Sequence, residues 1–192
     1  LIRDKKEQTV EVSIKPRPFE TSDKYEAIYG SVASKGGRMR TIATKPKMPG
    51  KRPALFLIQG TGGYSVDSSP TAPGMYAPFI DAFSKAGWAT FRVEKPGQGA
   101  SEGGPTQDVD FDTELDAYRQ GLKSLKGMDF VDPDNIVIFG HSMGGVMGPL
   151  VSAENPVKGL AGYGTLGKTW IEYILENIRR QSILAGGDPG DI

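Results

Sequence analysis

The stretch that decides the fold is Ile136-Val137-Ile138-Phe139-Gly140-His141-Ser142-Met143-Gly144-Gly145. Four apolar residues run straight into a glycine-rich turn that carries a G-x-S-x-G pattern, Gly140 to Gly144. A strand apolar on both faces is what a parallel sheet covered by helices requires. A sharp strand-to-helix turn needs small residues beside the Ser, and Gly140 and Gly144 meet that need. Such a turn lifts the Ser142 hydroxyl above the sheet, at a helix N-terminus where the Met143 N–H points at an oxyanion. A helix should follow and end near Glu154-Asn155-Pro156. Alone, the five-residue pattern is a chance match in a glycine-rich chain; the strand before it and the helix after it give it meaning.

The same alternation extends upstream. Ala54 to Ile58 is a continuous apolar run that stops at Gln59-Gly60-Thr61-Gly62-Gly63. A helix is expected over Ala77 to Ala86, with Gly87 past its end. Trp88 to Val93 reads as the next strand, closed by Glu94-Lys95-Pro96-Gly97-Gln98-Gly99. Leu115, Tyr118, Leu122 and Leu125 have helical spacing, with Asp110, Asp112 and Glu114 near the start. Asp132-Pro133 reads as a turn, Val157 to Tyr163 as a further strand and Trp170 to Ala185 as a helix. Strand, glycine-rich turn and helix thus alternate from about residue 54, the mark of a doubly wound, mostly parallel α/β sheet. Ahead of it, Ala27 to Ala33 and Arg38 to Thr44 read as a hairpin about Ser34-Lys35-Gly36-Gly37, adding antiparallel strands at one edge. Within Lys5 to Lys15, Val10, Val12 and Ile14 share one face of a strand that Pro16 and Pro18 end.

Composition narrows the function. The chain has 192 residues with 26 Gly, one His and no Cys. Without Cys there is no disulfide framework, no Cys-ligated zinc and no thiol nucleophile. One His builds no multi-His metal site. Lys and Arg total 23, as do Asp and Glu, so no basic excess points to nucleic acid. No run approaches the ~18 apolar residues of a membrane span.

Three glycine-rich turns carry the chemistry. Ser142 is the candidate nucleophile. The Met143 N–H and a second donor from the 59–63 loop would stabilise an oxyanion, Thr61 first, then Gly60 or Gly62. The alternative for that loop is a plain strand-to-helix connection. A dinucleotide fingerprint fails, because Ser65 occupies its last Gly position. Glu94, after its strand, suits an architectural role that accepts backbone N–H groups. Tyr64 and Tyr76 are candidate pocket residues, with ordinary packing as the alternative; Tyr64 is carried forward as the substrate-binding candidate.

In this order the motifs resemble the α/β-hydrolase superfamily, from roughly Ala27 onward. The family's His-Gly oxyanion motif stands here as Gln59-Gly60. Its Asp-x-Arg-Gly-x-Gly-x-Ser turn stands as Glu94 to Ser101, and its nucleophile turn as Gly-His-Ser-Met-Gly-Gly. Tyr163-Gly164-Thr165 and the helix after it resemble the run-in to a lid, with 165–192 as the start of that segment. Leu1 to Glu20 resembles the end of a PDZ-like domain, which would hint at the envelope or a secreted protein, or is an edge strand; residues 21–192 would then be the N-terminal part of the hydrolase domain. The resemblance implies a bacterial serine hydrolase of the esterase, lipase or aminopeptidase kind. Its substrate would be a small-molecule ester or amide, with no metal or organic cofactor.

One part of that machinery is missing. In this fold the triad follows the order Ser, acid, His, and no His follows Ser142. His141 is adjacent to Ser142 in a sharp turn and points elsewhere, so it reads as architectural. Asp188 and Asp191 sit beside Gly and Pro without a preceding strand and make poor triad acids. The expectation is an N-terminal part of a longer hydrolase, the triad acid and base being absent from the chain. The alternative is a non-catalytic ligand-binding or interaction module on a hydrolase scaffold. Either way, a parallel sheet stopped at Val157 to Tyr163 presents an open edge, so a missing C-terminal half or a second chain would be needed to complete it.

Overall fold

The apolar run after Pro53 becomes the strand at the heart of the sheet. The computed structural model describes residues 2–3, 6–7, 9, 11, 13, 18–68 and 74–188. Its elements are β1 (Ile2–Arg3), β2 (Lys6–Glu7), β3 (Tyr25–Ser34), β4 (Gly37–Pro46), β5 (Arg52–Ile58), α1 (Ala77–Lys85), β6 (Ala89–Val93), α2 (Phe111–Lys126), β7 (Val131–His141), α3 (Gly144–Glu154), β8 (Gly159–Tyr163) and α4 (Trp170–Leu184). Six strands form one sheet in the order β3-β4-β6-β5-β7-β8. β6, β5, β7 and β8 are parallel, while β4 is antiparallel to both β3 and β6. The expected α/β architecture with an antiparallel hairpin at one edge is therefore present.

Alternation along β5 divides the core. Ala54, Phe56 and Ile58 face α2 and α3 together with Phe91, Tyr118, Leu122 and Met147. Leu55 and Leu57 face α1 with Tyr76 and Ile80. Because both faces are covered, every residue from Ala54 to Ile58 is buried, as a parallel strand in the middle of a sheet demands. β7 is less enclosed: Ile136 and Ile138 are buried, but Val137 and Phe139 only partly.

Two expectations need correction. Asp132-Pro133 lies inside β7 rather than between elements. The turn chemistry is real, since the Asp132 carboxylate accepts from the Asp134 N–H at 3.2 Å and the Asn135 amide at 2.6 Å. The strand absorbs it as an irregularity in its pairing with β5, between Arg52 and Ala54. Among the described N-terminal residues, strand structure is confined to the β1–β2 pair, and Thr9, Glu11 and Ser13 lie in no strand. Val10, Val12, Ile14 and Pro16 lie outside the described residues, as does Asp191.

α2 starts as its sequence predicts, with the Asp110 carboxylate accepting from the Thr113 N–H at 2.7 Å. Further along, Asp116 accepts the Lys35 N–H at 2.8 Å, tying the hairpin turn to α2, and the Gln120 amide at 3.0 Å. Burial pushes this carboxyl up, but the Lys35 and Gln120 hydrogen bonds outweigh it and the net shift is downward. A carboxylate with a depressed folded-state pKa adds stability above its unfolded value and loses it as pH falls through the folded one. Asp116→Ala is expected to cost about 1–3 kcal/mol at pH 7. In urea titrations the gap from wild type should narrow as pH falls below the ordinary aspartate range, where the wild-type carboxyl also protonates.

β8 is the outer strand, and only Gly159 in it is even partly covered. Leu160 and Tyr163 are 49% and 69% exposed. An unpaired parallel edge of this kind templates pairing with another chain. The isolated 192-residue chain is expected to self-associate in light scattering; a monodisperse monomer that melts cooperatively would contradict this.

Candidate active site

All four parallel strands deliver their C-terminal ends to one side of the sheet, where ligands bind in open α/β folds. There the chain leaves β5 at Gln59, β6 at Glu94, β7 at Ser142 and β8 at Gly164.

Ser142 adopts φ 54°, the one positive φ at a non-glycine among the described residues. That conformation is costly for an L residue and persists only where its surroundings enforce it. They do so on three sides. The Ser142 N–H donates to the Tyr163 carbonyl at 2.8 Å, pinning the turn to the end of β8. The Ser142 carbonyl accepts from the Gly145 N–H at 2.9 Å as α3 begins. Gly144 passes so close to β5 that a Cβ there would lie 2.2 Å from the Ile58 carbonyl oxygen. The glycines that the motif demanded are thus required by contact. Met143 sits at the N-cap of α3, and the first N–H groups of a helix have no intrahelical acceptor.

The 59–63 loop lies against this turn. A Cβ on Gly60 would meet the Ser142 Cβ at 2.8 Å and the His141 carbonyl at 3.2 Å. Gly60 is buried, whereas Thr61 to Tyr64 are exposed. Tyr64 folds beside Gly62. Tyr76 has the more enclosed position. Burial raises its phenol pKa to about 12, and a backbone hydrogen bond from Gly60 partly opposes that. Met75, Tyr76, Phe79, Phe139, His141 and Tyr163 line an apolar pocket of about 310 Å³ beside the turn.

His141 is not directed at a hydroxyl. Its ring stacks on Tyr163 at 6.2 Å between centroids and meets Tyr76 edge-on at 6.4 Å. Its Nδ1 is buried without a hydrogen-bond partner. Asp188 lies just beyond the exposed helix α4.

Glu94 is fully buried and does accept a backbone N–H, from Val66 at 2.9 Å, as well as the Arg40 guanidinium. It therefore fastens the loop that follows Gly63. Sequence reasoning missed two other cations there. Arg92 bonds Glu20 through both terminal nitrogens, at 2.8 and 2.9 Å, and the Val66 carbonyl at 2.7 Å. Lys95 reaches the Gly60 carbonyl. A charge inside the strand run Ala89 to Val93 was the available signal for Arg92.

Sheet order, crossover helices and the strained turn after β7 define the α/β-hydrolase class. Residues 71–181 match the family described as serine aminopeptidase, S33, and the chain belongs to that family. Among curated relatives, a putative esterase, NocK, from Nocardia uniformis subsp. tsuyamanensis is 31% identical over 121 residues, covering 62% of this chain and 34% of its own length. The quorum-quenching protein AidA of Acinetobacter baumannii is 28% identical over 48% of this chain and 28% of its own. The chain thus spans about a third of the length of these relatives. Among solved structures, esterase Est22 superposes with TM-score 0.61 at 18% identity, covering 77% of this chain and 47% of that one. Est1E from Butyrivibrio proteoclasticus, solved with ferulic acid bound, gives 0.56 at 26% identity, covering 68% and 50%. No helix among the described residues is long and apolar enough to cross a membrane.

Proposed function

We propose that the chain carries the nucleophile and oxyanion half of a serine hydrolase acting on carboxylic esters, with amides or peptides as slower substrates. The carrying observation is Ser142 at φ 54° between β7 and α3, with Gly60 against it. In this reading the Ser142 Oγ attacks the acyl carbonyl and its proton passes to a histidine base. The carbonyl oxygen becomes an oxyanion held by the Met143 and Thr61 N–H groups. Collapse of the tetrahedral species expels the alcohol, which takes the proton back, and leaves an acyl group on Ser142. Water then attacks by the same route, releasing the acid and restoring the Ser. The chemistry requires no metal or organic cofactor.

In this reading neither the base nor the acid that orients it is among these 192 residues, and the packing of the lone histidine between Tyr76 and Tyr163 supports that for the base. The apolar pocket beside His141 suits the substrate's apolar portion, with Tyr64 at the exposed entrance. α4, amphipathic and without a buried residue, suits the start of a lid. The test is steady-state hydrolysis by the whole protein of p-nitrophenyl esters, compared with aminoacyl naphthylamides. Ester turnover exceeding amide turnover supports the proposal. Binding of these compounds without turnover would favour a non-catalytic module.

A further inference from the structure

Lys95 is 2% exposed, directly after β6. An ion pair with Glu114 of α2, at 2.9 Å, accounts for its charge. The same Nζ also donates to the Gly60 carbonyl at 2.5 Å. Behind it, the Tyr118 hydroxyl donates to the same Glu114 oxygen at 3.2 Å. Burial and, after it, the Glu114 carboxylate push the Tyr118 phenol up, so it stays a donor. A polar line, buried except at the partly covered Glu114, therefore runs Tyr118–Glu114–Lys95–Gly60, from α2 to the loop against Ser142.

Peptide geometry gives that line a consequence. The described residues contain no cis peptide, and in a trans peptide the C=O and N–H point in opposite directions. Holding the Gly60 carbonyl inward on Lys95 turns the Thr61 N–H outward, to the exposed side of the loop. We infer that Lys95 is a positioning residue for the oxyanion site: by fixing the Gly60–Thr61 peptide, it makes Thr61 rather than Gly60 the donor from this loop. The inference rests on the proposed hydrolase reading of Ser142.

The test uses the whole protein and the variants Lys95→Met and Lys95→Met/Glu114→Met. The double variant leaves no unpaired carboxylate, so it carries the test should the single one fail to fold. Loss of one oriented donor is expected to lower kcat about ten- to hundredfold, with KM changed by less than about threefold. Affinity for phenylboronic acid, which forms a tetrahedral adduct on Ser, should fall by the same factor as kcat/KM. A merely structural role would lower the melting temperature and leave kcat of the folded enzyme and boronate affinity in place, which overturns the inference. So does a change confined to KM. Wild-type protein without Ser142-dependent turnover overturns the hydrolase reading itself. Wild-type turnover that Lys95→Met leaves intact overturns the Lys95 inference alone.

Discussion

Ser142→Ala is expected to reduce ester hydrolysis by the whole protein at least about ten-thousandfold. The substitution removes one oxygen and leaves the turn's backbone contacts to Tyr163 and Gly145 in place. KM or inhibitor affinity should therefore change little. Stability should fall only slightly, because Ala, like Ser, tolerates the left-handed conformation poorly but keeps the same enforcing contacts. A Ser142→Ala protein that retains a tenth of wild-type turnover would remove Ser142 from the chemistry.

The second large effect falls on stability, at Arg92. Its guanidinium is wholly buried beside the buried Glu20. Glu20 also accepts the Ser68 N–H at 2.6 Å, so the pair fastens residues 66–68 and the chain ahead of β3 to the sheet. Removing one member of a buried ion pair leaves an uncompensated charge and costs about 3–5 kcal/mol. Arg92→Met is expected to lose that much in guanidinium denaturation. Arg92→Met/Glu20→Gln should lose much less, since no naked carboxylate remains. Equal losses in the single and double variants would mean that the contact with Val66, and not the charge, carries the effect.

These two sites differ in how far they were legible in the sequence. The strained turn at Ser142 was readable because its constraints are local: an apolar strand, flanking glycines and a helix start all lie within about ten residues. The same holds for the hairpin about Gly37 and for the Asp110 cap of α2. The Arg92–Glu20 pair joins residues 72 positions apart, and no periodicity announces such a partner. Lys95 looked like an ordinary turn residue because its partners, the Glu114 carboxylate of α2 and the Gly60 carbonyl of another loop, are remote in sequence. Asp132-Pro133 misled for a related reason. Its turn chemistry is present, but pairing with β5 on both sides of it keeps the strand continuous. Tyr76, placed by the segment leading into α1, proved more enclosed than Tyr64, and only the packing of α1 on β5 decides that.

The most direct test of the account is covalent. Whole protein is treated with a fluorophosphonate, digested and sequenced by mass spectrometry. The account predicts one stoichiometric adduct on the peptide containing Gly140 to Gly145, at Ser142, absent from Ser142→Ala. An adduct on another residue, or none on protein that hydrolyses esters, would contradict it.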